Sequence, residues 1–221
     1  MADPIPVTIH PKFMTLINDP HTVADIRGGR GGMKSTQAQL IALTLGIQRP
    51  MRICQARETM SSIRDSSHKL LSDLIYKHGM AKSQNGPYEI QESRIMRREG
   101  ERIESEFIFV GVRENVRDQK SLAAINLTIF EEAAKASQDS LDVFMPTVLR
   151  EPDSKIWFIW NPEYVSDPTY QLLVLHEPSG TIHIETNYLE NPWLSDTMRI
   201  LAEDCKREFP SKYRHIGEYL T

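Results

Sequence analysis

The sequence predicts an α/β fold, a mostly parallel central sheet flanked by helices on both faces. Three observations carry that expectation. Short β-rich runs alternate with segments whose apolar residues recur at helical spacing. Runs such as "SEFIFVGV" and "SKIWFIW" read as strands buried within a covered sheet. A glycine-rich turn, "GGRGGMK", lies between the first strand and the first long helix, and sheets of this class bind ligands at the carboxyl ends of their strands.

Taken in order, "HTVADIR" and "MRICQA" are short strands, with "KSTQAQLIALTLG" between them as a helix closed by Gly46. "ETMSSIRDSSHKLLSDLIYKHG" is expected as one long amphipathic helix ending at Gly79. The turn "SQNGP" leads to "YEIQESRIMRRE", a hairpin. "SEFIFVGV" and "AAINLTIF" are buried strands, followed by the helix "DSLDVFMPTVL" and the strand "SKIWFIW". "TYQLLVLH" is a short helix, "GTIHIETN" a strand and "SDTMRILAEDCKREF" a closing helix.

Composition limits the functions on offer. The 221 residues are 40% hydrophobic and 25% charged, enough for one globular domain with a real core. No apolar run approaches the roughly 20 residues of a membrane span, and "MADPIPVTIHPKF" lacks the pattern of a secretory leader. Cys54 and Cys205 have no metal-ligand or redox spacing, so neither a disulfide framework nor a structural zinc site is expected, and a reducing cytoplasm fits. A formal net charge of −4 argues against a stand-alone, tight DNA binder and leaves room for a local basic patch.

The segment Gly28 to Ser35 matches the Walker A pattern G-x-x-x-x-G-K-[ST] except that Met33 replaces the last glycine. Such a loop needs glycines because its backbone N–H groups curl around phosphate oxygens. Gly28, Gly29, Arg30, Gly31, Gly32, Met33, Lys34, Ser35 and Thr36 are therefore the candidate nucleotide-binding residues. Lys34 would reach the β- and γ-phosphates and Ser35 would ligate Mg²⁺, with the N-terminus of the next helix aimed at the anion. Taken alone, the loop reads equally well as a flexible turn. The second half of the site shifts the balance. "NLTIFEEA" is an apolar strand ending in Glu131 and Glu132, a Walker B element in which one acid holds the metal and the other orients the attacking water.

With these elements in place the chain resembles the ATPase domain of the tailed-phage large terminases, the motors that package DNA. "GGRGGMKS" resembles the arginine-bearing Walker A loop of that family. "RICQARETMSSIRDSS", "FIFVGVRENVRDQKSL", "IFEEA", "IWFIWNP" and "ETNYLENPWL" are similar, in the same order, to its later motifs, so the resemblance covers about residues 25–217. It implies an ASCE-type P-loop NTPase fold, with the strand that leads to Asn161 lying between the Walker A and Walker B strands. By the same resemblance Glu132 is the catalytic carboxylate, Lys34 and Arg30 are catalytic cations, Ser35 and Glu131 hold the metal, and Asn161 couples the γ-phosphate to movement. The implied cofactors are ATP and Mg²⁺. The implied partners are double-stranded DNA, a portal protein, a small terminase subunit and further copies in a ring on the procapsid, the chain being a monomer in solution. Its place would be the cytoplasm of the infected bacterial host, at the procapsid portal. Residues 1–190 would form the ATPase domain and 191–221 the lid and linker helices, without the family's C-terminal nuclease domain.

Two other readings stay open on sequence alone: a different P-loop NTPase such as a helicase, and a nucleotide-binding docking module with little activity as an isolated domain. Arg57, Arg113 and Arg117 are candidates for an arginine acting across a subunit interface. Arg94, Arg97, Arg98 and Arg102 interleave with Glu92, Glu99, Glu101 and Glu104 and read as a solvated mixed-charge surface. His176, Glu177, His183 and Glu185 fit no metal motif. Trp157, Trp160 and Trp193, like Phe107 and Phe109, are expected to serve packing.

Overall fold

The computed structural model describes residues 6–60, 63–115, 122–210 and 213. Eight strands form one sheet: β1 (Val23–Arg27), β2 (Met51–Arg57), β3 (Tyr88–Ile90), β4 (Arg94–Glu99), β5 (Arg102–Gly111), β6 (Leu127–Glu131), β7 (Lys155–Trp160) and β8 (Thr181–Glu185). Their order is β3-β4-β5-β2-β6-β7-β1-β8. All pairs from β5 to β8 are parallel, while β3 and β4 close the other edge antiparallel. The α/β class with a mostly parallel sheet is the observed architecture. The strand leading to Asn161, β7, lies between β6 and β1, as the family resemblance implies.

Alternation within each strand divides the core in two, because successive side chains leave a strand on opposite faces. Ala24, Ile26, Ile53, Ile129, Trp157 and Ile159 pack on one face with Leu40, Ile41 and Leu43 of α2 (Lys34–Gln48) and with Leu71, Leu74 and Ile75 of α3 (Lys69–Lys77). Val23, Cys54, Ala56, Phe130, Ile156, Phe158 and Trp160 face the other way, against Leu141, Phe144 and Val148 of α5 (Gln138–Val148). Burying both faces is what allows parallel strands to carry these near-continuous apolar runs. Phe107 and Phe109 are buried, as expected. Short helices lie at Thr15–Asn18 (α1), Val112–Asn115 (α4) and Pro168–Tyr170 (α6), and α7 spans Asp196–Glu208.

Four local features differ from the sequence expectation. The segment 58–79, of which residues 61 and 62 lie outside the described residues, is not a regular α-helix throughout: Arg64–His68 is a π-helical turn, followed by an α-helix over Lys69–Lys77. A π turn widens the hydrogen-bond spacing to i→i+5 and shifts the phase of every side chain after it. The β5 strand starts at Arg102, pairing Glu99 with Arg102 across a tight turn in which Gly100 takes φ +60. The β6 strand starts only at Leu127; the side chain of Asn126, just before it, accepts the Arg52 N–H at 2.7 Å. Trp157 and Trp160 are core residues, but Trp193 is 50% exposed. Among the described residues no helix is long and apolar enough to cross a membrane.

Beneath α2 lies a polar pair in the apolar layer. Gln39 and Gln55, both 0% exposed, exchange two amide hydrogen bonds of 2.6 and 2.9 Å. A buried amide that loses its partner retains the full desolvation cost, about 1–3 kcal/mol. Gln39→Leu or Gln55→Leu alone should therefore lower stability by that amount. The double replacement should be less destabilising than the sum of the two, which urea denaturation of the four proteins measures.

Candidate active site

The carboxyl ends of β1, β2, β6 and β7 meet at one edge of the sheet, and there the chain forms a cleft of about 800 Å³. Its walls include Arg30, Gly31, Gly32, Met33, Lys34, Ser35, Thr36, Glu131, Glu132 and Asn161, so residues from both halves of the chain share one cavity. Gly28 and Gly29 contribute from beneath: their carbonyls each accept a 2.7 Å hydrogen bond from Lys34 Nζ.

Leaving β1, the loop must turn sharply before entering α2. Gly28 takes φ +143 and Gly31 φ +77, conformations that favour glycine. Gly32 is required by space as well, since a Cβ there would stand 2.9 Å from the Thr186 carbonyl oxygen. Met33 is the N-cap of α2 and sits at φ +56, ψ +7, in the left-handed region. The position that usually carries glycine thus keeps the glycine conformation with a methionine in it. Its side chain is 8% exposed and joins the core, and burial of that kind, about 1.5–3 kcal/mol, outweighs a left-handed penalty of about 1–2 kcal/mol.

Lys34 is 8% exposed. Burial pushes its ammonium down to about 8, against the opposing pull of the Glu131 charge. The Ser35 hydroxyl donates to Glu131 Oε2 at 2.8 Å, joining the start of α2 to the end of β6. Burial raises the Glu131 carboxyl above its ordinary range, and Glu131 Oε1 is buried without a hydrogen-bond partner. One hydroxyl and one carboxylate with an unsatisfied oxygen make a donor set of hard oxygens, which fits Mg²⁺.

Glu132, next in the chain, also has a left-handed backbone, φ +52 and ψ +40. Its carboxylate is held by two cations: Arg57 Nη1 lies 3.1 Å from Oε1 and Lys135 Nζ lies 2.6 Å from Oε2. Partial burial works to raise the Glu132 carboxyl. The Lys135 hydrogen bond and the two positive charges outweigh it and hold the group below its ordinary range.

Of the three arginines considered for a role across an interface, Arg57 lies in the cleft of its own chain. Arg113 is exposed on α4 and does not line the cleft, and Arg117 is outside the described residues. Sequence reading gave no role to Lys135, Glu163, Tyr164 or Asn191, all of which line the cleft. Asn191 donates from Nδ2 to the Gly31 carbonyl at 2.7 Å, so the "YLENP" segment braces the loop. Its signal was the quoted motif itself, although spacing alone does not say what a side chain 160 residues away will touch. Arg27, just upstream of the loop, is paired with Asp25 (3.0 Å) and Glu185 (2.5 Å). His183 lies 3.0 Å from Asp25 and 3.1 Å from Glu177, and among the described residues no metal-binding cluster of His, Cys, Asp and Glu occurs.

Comparison with known proteins agrees with this arrangement. The family model described as phage terminase large subunit matches residues 21–218. Among solved structures, the large terminase of a thermophilic bacteriophage superposes with a TM-score of 0.72 at 14% identity, over 97% of this chain and 54% of that one. The bacteriophage HK97 large terminase gives 0.69 at 13% identity, over 96% and 50%. The ATPase domain of the Thermus phage P74-26 large terminase gives 0.63 at 15%, over 96% and 92%. The first of these, the thermophilic-phage protein, is also known in complex with ADP and with ATP-γ-S. This chain spans about half the length of the thermophilic-phage and HK97 proteins, and no curated protein matches it. The chain belongs to the phage terminase large subunit family.

The Met33 geometry gives a ranked expectation. Met33→Gly loses the buried side chain but relieves the left-handed strain, a net loss of about 1 kcal/mol. Met33→Ala loses the same burial and keeps the strain, so it should be the less stable of the two by about 1 kcal/mol. Thermal unfolding of the three proteins checks the order; Ala equal to or above Gly would contradict the left-handed assignment.

Proposed function

We propose that this chain is the Mg²⁺-dependent ATPase motor of a phage DNA-packaging machine, hydrolysing ATP to drive double-stranded DNA into a procapsid. The observation that carries the proposal is one cleft that joins a buried lysine on a glycine loop, a hydroxyl–carboxylate pair and a second carboxylate. Complexes of the related thermophilic-phage terminase with ADP and ATP-γ-S support nucleotide as the ligand.

Each residue has a part in the reaction. The loop N–H groups and the start of α2 bind the phosphates, and Lys34, already buried, needs little reorganisation to meet their charge. Ser35 and Glu131 would hold Mg²⁺, which supplies charge neutralisation across the β- and γ-phosphates. Glu132 orients a water and takes up its proton as the water oxygen bonds to the terminal phosphorus. The bond from that phosphorus to the β-phosphate oxygen breaks, leaving ADP and inorganic phosphate. Arg30, exposed on the loop, stabilises charge on the transferred group. Asn161, at the tip of β7, contacts the terminal phosphate and passes its loss into the sheet.

In this reading residues 1–190 form the motor domain and 191–221 the lid and linker, of which 211, 212 and 214–221 lie outside the described residues. The working partners are DNA, the portal, the small terminase subunit and neighbouring copies in a ring, in the cytoplasm of the infected host at the procapsid portal.

Calorimetric titration of Mg²⁺-ADP tests the proposal. Saturable binding should occur and be lost in Lys34→Ala; no binding by the parent protein would refute it. Glu132→Gln should bind nucleotide as the parent does and turn over at least about 100-fold more slowly. Lys34 also sets a pH dependence. With its ammonium near 8, the cation is complete below that pH and is lost as pH rises through it. Affinity for ADP should therefore be highest below pH 8 and fall above it, and any binding retained by Lys34→Arg, whose guanidinium stays charged, should show no such fall.

A further inference from the structure

We propose that Gln39 is a positioning residue for Glu131, the carboxylate assigned to the metal, and that Gln55 fixes the amide through which it acts. The inference rests on the ATPase reading above and adds to it two residues that line no part of the cleft.

Two periodicities bring the three side chains together. Ser35 and Gln39 are four apart on α2 and so lie on one helix face. Ser35 reaches Glu131 Oε2 at 2.8 Å, which puts Gln39 one turn deeper beneath the same carboxylate. On the sheet, Gln55 of β2 is level with Ile129 of β6, and Ile129 and Glu131 leave β6 on one face. That is the face α2 covers. There Gln39 and Gln55, both fully buried, exchange their hydrogen bonds of 2.6 and 2.9 Å.

The chemistry of the amide leaves one donor over. Each primary amide has two N–H groups and one carbonyl oxygen. The reciprocal pair uses one N–H and the carbonyl of each, so Gln39 keeps a second N–H whose direction Gln55 fixes. Glu131 has the matching deficit: Oε2 accepts from Ser35, while Oε1 is buried with no hydrogen-bond partner. Burial raises the Glu131 carboxyl, and the Ser35 hydroxyl, the Arg57 charge and the Gln39 amide, in that order, pull it back. The spare N–H of Gln39 therefore bears on this carboxylate, and closing it onto Oε1 satisfies both groups.

Such a restraint matters most once Ser35 has a metal to ligate, because its hydroxyl is then no longer free to hold Glu131 alone. A carboxylate tethered from behind through Oε1 keeps Oε2 turned to the cleft, as partners behind metal ligands generally do. A neutral donor suits the place, since a cation there would repel the metal. Because the Gln39 amide is itself held by Gln55, the restraint extends from α2 to β2 as well as to β6.

The test compares the parent protein with Gln39→Met, Gln55→Met and the double variant. Methionine keeps much of the length and bulk of glutamine and removes the amide. Calorimetry gives the dissociation constant of ADP in EDTA, and then that of Mg²⁺ titrated into protein saturated with ADP. In EDTA all four proteins should bind ADP within about twofold of one another, since the amides lie away from the phosphate loop; this also shows that the loop is folded. Gln39→Met should hold Mg²⁺ about tenfold more weakly, the lower end of the range for losing a partner that orients a metal ligand. Gln55→Met, which frees the Gln39 amide without deleting it, should weaken Mg²⁺ by less, about threefold. With Gln39→Met already present, Gln55→Met should weaken Mg²⁺ no further, because it acts through Gln39. Unchanged Mg²⁺ affinity in Gln39→Met, with only its unfolding free energy lowered, would overturn the proposal and leave the ATPase reading in place. Losses that add in the double variant would overturn the part given to Gln55. A parent protein that binds ADP but holds Mg²⁺ no more tightly than free ADP does would overturn the proposal together with the metal-holding role of Ser35 and Glu131. Absence of ADP binding by the parent protein would overturn the ATPase reading as well.

Discussion

The insertion of β7 between β1 and β6 is the constraint from which the site follows. Neighbouring strands lie roughly 4.8 Å apart, so the two outer strands of this trio are separated by about 10 Å. The parallel register brings Arg27 level with Trp160, and Ile159 level with Glu131, so all three strands end at nearly one height. The gap above β7 is therefore wide enough for a phosphate between the loop after β1 and the acids after β6. It is also narrow enough for the Ser35 hydroxyl to reach Glu131 directly. That bond crosses 96 residues of sequence and closes the floor of the cleft.

Charge burial then becomes unavoidable. Lys34 and Glu131 lie below the rim, where neither is well hydrated, and each shifts toward its neutral form because of it. Two glycine carbonyls and the serine hydroxyl satisfy part of their hydrogen-bonding capacity, and the remaining oxygen of Glu131 has no partner. A site prepared this way holds its dipoles fixed ahead of the ligand, which is what makes electrostatic stabilisation effective in a dry cleft. The strands supporting it are pinned further down. Asp25, 0% exposed, accepts the Trp160 indole N–H at 2.7 Å and pairs with Arg27, linking β1 to β7 just below the loop. Burial raises the Asp25 carboxyl, and the Arg27 charge opposes that rise.

Elements whose signal is local were legible in the sequence. Strand alternation separates Ile53 from Cys54 and Ile129 from Phe130 onto two faces, as the two halves of the core require. The loop from Gly28 to Ser35 and the acids at Glu131 and Glu132 each announce their chemistry by residue type and by position at a strand end. Features that depend on distant partners were not legible. Arg57 reads as one surface arginine among several until β2 is known to lie beside β6. Trp193 reads as a packing residue until its segment is found on the outside of the loop, and the π turn at Arg64–His68 falls in the polar run "RDSSH", which has no apolar residue to mark it. Met33 falls between these cases. Its departure from glycine was visible, but its backbone is decided by the balance of core burial against strain, and only the packing supplies that balance.

The loop is held from both sides, and this ties its shape to the last third of the chain. On one side Gly28 donates its N–H to the Trp160 carbonyl, the residue before Asn161. On the other, Asn191 holds the Gly31 carbonyl, Gly32 lies against the Thr186 backbone, and Gly31 faces Leu194 and Tyr188. Tyr188 in turn donates to Glu203 at 2.8 Å, which connects this brace to α7. The α7 helix has no buried residue of its own and exposes Met198, Ile200 and Leu201. Few apolar contacts therefore oppose a change in its position, while polar contacts through Tyr188 and Asn191 lead from it to the loop. The glycines of that loop thus meet two demands at once: they let the backbone curl toward phosphate, and they let residues 186–194 approach closely enough for the brace to form.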